Sequence, residues 1–310
     1  MLELSVVLPV YNDERFISKS IRSILNQTFT EFEFIIIDDG STDNTRKIVD
    51  DYARKDNRIE VIHQSNKGVA ISTNMAIQIA KGKYIARQDS DDLSLPNRLE
   101  EQLMAIKDLN CDLLATDFYV VDEGDNVIVE NAKKKRNIMT SLLIGSNSIC
   151  HGTILFKREK ILEIDSYNSF YKKSQDFDLY LRLIDHKGKI SKLDKTLYKY
   201  RLRKSSMSGN DSQSYSKRAF MNHIRRNKGL VEDFSPLSEK TIKLKNPYQG
   251  RFAGSIFWVE DYSKYIKFYV RNFFLLLPNY KYGAYFLYSI MPHIIKKAVK
   301  KWMIKRRIKV

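Results

Sequence analysis

Residues 32–43 read "FEFIIIDDGSTD". An apolar run breaks off into two aspartates, a glycine and a cluster of helix-capping residues. Continuous apolar runs, unlike alternating ones, mark strands covered on both faces. The same punctuation recurs on either side. Before it, "LSVVLPV" ends in "YND" (11–13), and "ERFISKSIRSILNQ" then spaces Phe16, Ile17, Ile21, Ile24 and Leu25 as a helix does. After it, "STDNTRKIVDDYARK" starts with capping residues and predicts a second helix. "RIEVIHQ" predicts a third strand, "GVAISTNMAIQIAKG" a third helix closed by Gly82, "KYIARQD" a fourth strand and "NRLEEQLMAIKDLN" a fourth helix.

Four β-α units in succession imply an α/β fold with a mostly parallel central sheet and helices on both faces. Ligands bind such sheets beyond the carboxyl ends of the strands. "YND" (11–13), "DDGSTD" (38–43) and "DSDD" (89–92) all follow strands, so Tyr11, Asn12, Asp38, Asp39, Asp89 and Asp91 are expected at one crevice. "HQSNKG" after the third strand adds Lys67 and Gly68. Beyond residue 111 the pattern loosens. "CDLLATDFYVVD" and "NVIVE" read as strands around the turn "EGDN", and "ICHGTILFK" as a strand. "SQDFDLYLRLIDHKG" reads as an amphipathic helix led by acids, and "KLDKTLYKYRLR" as a late strand. "KKKRN" (133–137) is a basic loop, and "KSSMSGNDSQS" (204–214) a boundary or a lid.

The chain has 310 residues, 43% of them hydrophobic, enough for a core and unlike a disordered chain. Its two cysteines, Cys111 and Cys150, make neither a disulfide framework nor a zinc motif, which fits a reducing compartment. The opening residues lack the pattern of a signal peptide. Charge is unevenly spread. Residues 262–310 hold twelve Lys or Arg and no Asp or Glu, leaving +4 of the total +16 for residues 1–261. A body so near neutrality argues against nucleic acid as partner. The tail mixes Tyr, Phe and Leu with Lys and Arg. Its longest uncharged stretch, 282–295, is short of the ~20 residues a membrane-spanning helix needs. Interfacial helices on an anionic membrane surface are the expectation for 262–310, with an ordinary basic helical subdomain as the alternative.

Asp89 and Asp91, one residue apart at a strand exit, offer hard oxygen ligands suited to Mg²⁺ or Mn²⁺, or caps for the helix near Pro96. No glycine-rich phosphate loop is present, so a metal is the natural partner for phosphates. Tyr11 offers a face for a base and Asp39 an acceptor for a base N–H; either could equally be a turn residue. Asp43 reads as a helix-start residue.

These segments resemble family 2 glycosyltransferases, whose fold is the GT-A nucleotide-sugar fold. "VVLPVYNDERFISKSIRSILNQTFTEFEFIIIDDGSTDNT" is similar to that family's opening, "YIARQDSDD" to its DxD strand, "QDFDLYLRL" to its late ED segment, and "CHGTILFKR" to an HPT segment of bacterial surface-polysaccharide members. The resemblance covers roughly residues 3–203. It implies that Pro9, Tyr11 and Asp39 hold the nucleotide base, that Asp89 lies near ribose and metal, that Asp91 binds the metal and that Asp176 is the general base. Lys67 falls where some members place a cation near the nucleotide. Gln175 replaces the usual Glu and Gly152 the usual Pro, which leaves His151 as acceptor contact, metal neighbour or strand residue. Asp176 opens a helix, whose dipole favours the charged carboxylate.

The expectation is an inverting glycosyltransferase using Mn²⁺ or Mg²⁺. It would move a sugar from a nucleotide-sugar donor, UDP or else dTDP or GDP, to a glycan or lipid-linked acceptor. The donor half is expected at 1–110, the acceptor half at 111–203, a connection at 204–261 and a membrane-associating region at 262–310. The expected location is cytoplasmic, peripheral on the inner face of the cell membrane. Competing readings are a metal-dependent nucleotidyltransferase, which gives "QDFDLYLRL" no role, and a non-catalytic membrane or nucleic-acid binder, which leaves the strand-exit acids unexplained.

Overall fold

Strands buried on both faces need crossover helices, and those crossovers make the pairing parallel. The computed structural model describes residues 2–130, 138–143, 145–203 and 212–237, all within the compact unit Met1–Ser255. Strands β1 (Leu4–Val10), β2 (Phe32–Asp38), β3 (Ile59–His63) and β4 (Tyr84–Arg87) pair in parallel in the order β3-β2-β1-β4. Every residue of β1 is buried. Helices α1 (Ile17–Leu25), α2 (Thr45–Ala53) and α3 (Val69–Ile79) make the crossovers. α1 turns Ile17, Ile21 and Ile24 inward, the spacing of one helix face.

β5 (Leu93–Ser94) and α4 (Arg98–Asp108) follow, then β6 (Leu113–Val121) and β7 (Val127–Glu130), which pair as a hairpin. After α5 (Ile138–Leu143), β8 (Leu155–Lys157) runs antiparallel between β4 and β6. α6 (Arg158–Leu162) and α7 (Gln175–Asp185) lead to β9 (Ile190–Arg201), parallel to β6, and α8 (Ser212–Asn227) packs on α7. Among the described residues the sheet reads β3-β2-β1-β4-β8-β6-β9-β5, with β7 on β6.

Two local expectations need correction. "ICHGTILFK" is a strand only at Leu155–Lys157; His151–Thr153 form a single 3-10 turn. α7 is amphipathic as expected, but it is buried on nearly every side, because α8 covers the face that would otherwise meet water. Arg182 pairs with Asp178 at 2.8 Å and donates to the carbonyl of Ser166 at 2.5 Å, while the Tyr180 hydroxyl and one Asp178 oxygen are buried without a hydrogen-bond partner. Gly82 does not close α3, which ends at Ile79. It is glycine because a Cβ there would lie 2.5 Å from the amide nitrogen of Ser5 on β1. The basic loop 133–137, most of 204–214 and the tail 262–310 lie outside the described residues.

Candidate active site

The parallel register brings the strand exits level. Val10 faces Asp38 across β1 and β2, and Val7 faces Arg87 across β1 and β4. "YND", "DDGSTD" and "DSDD" therefore share one edge of the sheet.

Tyr11 stands 49% exposed at this edge, with its ring available. Asn12 has a left-handed backbone (φ 47°), and its side-chain oxygen accepts the N–H of Thr42 at 2.7 Å, tying the first exit to the second. Asp38 is at the edge but turned into structure. It accepts from the N–H of Ser41 at 3.0 Å and pairs with His63 at 2.8 Å. Asp39 is buried, and its carboxylate accepts from Gln64 at 2.6 Å and from the N–H groups of Lys67 and Gly68, each at 2.8 Å. Its oxygens thus fix the loop after β3. Asp43 accepts the N–H of Thr45 at 2.9 Å, at the start of α2.

The loop after β4 rests on two buried arginines, Arg87 and Arg98. Arg87 is 1% exposed and donates to Asp89 at 2.6 Å. Burial opposes its charge, but the nearby Asp89 carboxylate prevails and its pKa rises. Arg98 is fully buried beneath the loop. Its donors reach Gln102 at 2.8 Å, Gln88 at 3.0 Å, Ser94 at 2.8 Å and the carbonyl of Arg87 at 2.7 Å, and its plane stacks on Tyr198. These acceptors are neutral, and burial lowers its pKa to about 10, still charged at neutral pH.

The far side of the loop is held by β9. The Tyr198 hydroxyl accepts the N–H of Asp89 at 3.2 Å. Arg201 donates from its backbone to the Asp92 carboxylate at 2.6 Å and from its side chain to the carbonyl of Asp91 at 2.7 Å. The guanidinium of Arg203 lies 2.9 Å from the Asp91 carboxylate and donates to Asp13 at 2.7 Å. Asp13 also accepts from Ser90 at 2.6 Å, joining the first strand exit to the middle of "DSD".

His151 sits below this loop. Its Nε2 is 2.7 Å from the Tyr167 hydroxyl, and burial, then Arg87, pushes its pKa well down, so the imidazole is neutral. Gly152 has a structural reason. A Cβ there would lie 2.1 Å from the Tyr198 hydroxyl and 2.9 Å from the Asp89 carboxylate. Gln175 is buried at the start of α7. Asp176 follows it and accepts from Asn147 at 2.8 Å. Burial raises the Asp176 pKa, against the lowering from the Phe177 N–H and Asn147, so desolvation outweighs the helix-start effect. Arg87 acts electrostatically on Asp176, His151 and Tyr167 alike, which ties these groups to the Asp89 loop.

Among the described residues no three His, Cys, Asp or Glu gather as a complete metal site. Asp89 and Asp91 supply carboxylate oxygens, the donor chemistry of Mg²⁺ or Mn²⁺, which take remaining ligands from phosphate and water. The residues present fit such an ion as a partial shell. Among the described residues no helix is long and apolar enough to cross a membrane.

The model of the family "Glycosyl transferase family 2" matches residues 5–165. The O-antigen biosynthesis glycosyltransferase WbnJ of Escherichia coli is 32% identical over 226 residues, 70% of this chain and 89% of that protein. Among solved structures, residues 1–349 of S. aureus TarS in complex with UDP-GlcNAc superpose with a TM-score of 0.58 at 24% identity, over 72% of this chain and 73% of that one. The mannosyltransferase PcManGT from Pyrobaculum calidifontis, in complex with GDP-Man and Mn²⁺, superposes with a TM-score of 0.57 at 14% identity, over 99% of this chain and 84% of that one. The curled, mostly parallel sheet is thus the GT-A fold, and the chain belongs to glycosyl transferase family 2.

Proposed function

We propose that this glycosyltransferase moves a sugar from a nucleotide-sugar donor to a hydroxyl of a glycan or lipid-linked acceptor, with inversion, in polysaccharide biosynthesis. The observation that carries the reading is the pairing at the exit of β4. Asp89 and Asp91 each face a guanidinium, and Asp176 is held by Asn147 in the field of the same Arg87.

In this reading Pro9, the Tyr11 ring and the loop fixed by Asp39 receive the nucleotide base, with Lys67 and Asp89 toward the ribose and phosphates. Asp91, with Asp89, would hold Mn²⁺ or Mg²⁺. Such an ion supplies neutralisation of the diphosphate leaving group. Asp176 takes the proton of the acceptor hydroxyl as that oxygen attacks the anomeric carbon from the face opposite the diphosphate. The C1–O bond to the diphosphate breaks as the new one forms, and the nucleoside diphosphate leaves. One base and in-line attack give inversion without a covalent sugar intermediate. His151, neutral and hydrogen-bonded to Tyr167, and Gln175 lie on the acceptor side as positioning groups. The relatives' names support a surface-glycan setting, and TarS and PcManGT support UDP or GDP as nucleotide. The basic, aromatic tail 262–310 supports peripheral attachment to an anionic membrane at the cytoplasmic face.

The test is calorimetric binding of UDP, dTDP, GDP and CDP, with and without Mn²⁺, to wild type and Asp91→Asn. The expected result is metal-dependent binding of one nucleotide, lost in the variant. Binding of none would overturn the reading.

A further inference from the structure

The charge balance around Asp91 has a feature that the donor site does not require. Arg203, two residues past the end of β9, bridges two carboxylates that follow different strands, Asp13 after β1 and Asp91 after β4. Its contact to Asp13 is an aligned hydrogen bond of 2.7 Å. Its contact to Asp91 is looser. Nε is 2.9 Å from the carboxylate but out of hydrogen-bond alignment, and that buried N–H has no hydrogen-bond partner. The guanidinium lies over the Phe16 ring, 5.5 Å from its centroid, with the Arg201 guanidinium 4.6 Å from the same centroid. Asp13 is 2% exposed while Asp91 is 15% exposed, so solvent reaches the site from the Asp91 side.

We propose that Arg203 is a resident counter-cation for the Asp13–Asp91 pair, and that a divalent cation arriving at Asp91 must displace its guanidinium from that carboxylate. The inference rests on the reading that Asp91 holds the metal. A carboxylate partly removed from water needs a neighbouring positive charge. Arg203 supplies one before any donor arrives, so the bare loop is not held open by repulsion among Asp13, Asp89, Asp91 and Asp92. A dication and a guanidinium cannot both sit against the same oxygen, since their charges repel. Arg203 keeps its aligned bond to Asp13 and gives up the unaligned one to Asp91. The freed Nε–H edge then faces the same opening as the metal and can meet an anionic oxygen of the diphosphate. Metal affinity in the absence of nucleotide is thereby kept low, and metal and diphosphate bind together.

The test is Mn²⁺ titration of the full chain, followed by the paramagnetic signal of the free ion, with and without UDP. Wild type, Arg203→Gln, Arg203→Lys and Asp91→Asn are compared. The proposal expects Arg203→Gln to bind Mn²⁺ without nucleotide about tenfold or more tightly than wild type, the effect of removing one adjacent charge from a carboxylate. Asp91→Asn should lose the binding. Lysine keeps a point charge but cannot fork both carboxylates. Arg203→Lys should therefore shift in the same direction by less, and it serves if the glutamine variant does not fold. Mn²⁺ binding that is unchanged or weaker in both Arg203 variants would overturn the counter-cation role and leave the metal site standing. UDP binding without any Mn²⁺ binding, in every variant, would overturn the metal reading and this proposal with it.

Discussion

Gly152→Ala is a sharp test of the packing under the Asp89 loop. Where space allows, replacing glycine by alanine stabilises a protein by about 0.4–1 kcal/mol through the unfolded chain. Here the added Cβ would meet the Tyr198 hydroxyl at 2.1 Å, its Cζ at 2.5 Å and the Asp89 carboxylate at 2.9 Å. The first contact is more than ~1 Å inside ordinary van der Waals separation. Tyr198 cannot step aside. It is fully buried, paired with Ser94 on β5 and Phe118 on β6, and capped by Arg98. The turn at His151–Thr153 must move instead, and overpacking of this kind costs about 1–3 kcal/mol. For a domain of this size each kcal/mol lowers Tm by about 2–4 °C, so a fall of roughly 2–12 °C is expected by thermal denaturation. Tyr198→Phe removes the oxygen of the 2.1 Å contact but leaves Cζ, so the double variant should recover part of the loss, a coupling visible in a double-mutant cycle. A Gly152→Ala protein as stable as wild type, or strictly additive effects in the double variant, would refute the reasoning.

Further outcomes are expected. Because burial raises the Asp176 pKa, the folded protein binds that proton more tightly than the unfolded chain. Stability is therefore lost as pH rises from the ordinary aspartate value of about 3.9 through the native one. Asp176→Asn should then melt above wild type at pH 7–8, with the gap closing toward pH 4, while transfer falls by about 10²–10⁴; a lower Tm at neutral pH contradicts the burial argument. The acid limb of kcat/KM should lie above that ordinary value. Arg98→Met takes its donor from the buried oxygens of Gln102 and Ser94 and from the Arg87 carbonyl, while Gln88 keeps its bond from Ser94, a loss of about 3 kcal/mol or more in urea unfolding; less than ~1 kcal/mol would show that the network is not holding the loop.

The first four strands and their helices were legible because period alone separates a buried strand from a one-sided helix. The convergence of Tyr11, Asp39, Asp89 and Asp91 followed from where those strands stop. What sequence could not supply was pairing at a distance. Arg98 reads as one more cation among 53 Lys and Arg, and only packing shows that it and its neighbour Arg87 lie buried under the acidic loop. Arg201 and Arg203 meet Asp91 across more than a hundred residues. Asp39 and Asp38 were recognisable as edge residues, yet their oxygens serve backbone and His63. "ICHGTILFK" was misread because its apolar content says burial and not conformation; the turn is set by Tyr198 pressing on Gly152. One signal was available: a glycine where the resembling segment has proline points to a neighbour too close for a side chain.

The clamp that β9 places on the loop at residues 89–92 bears on how the protein is made. Asp91 and Asp92 emerge from a ribosome well before Tyr198 and Arg201, which hold them in place. At about 5–20 residues per second, that interval is on the order of 5–20 seconds. During it the first parallel strands can pair, but the acidic loop has no partner on its far side. Closing so long a segment is slow and comes late. A nascent chain stopped near residue 110 therefore carries Tyr11, Asp39, Asp89 and Asp91 in sequence yet lacks the strand that holds the loop at 89–92. The loop at 89–92 gains its far-side contacts only when the ninth strand enters the sheet.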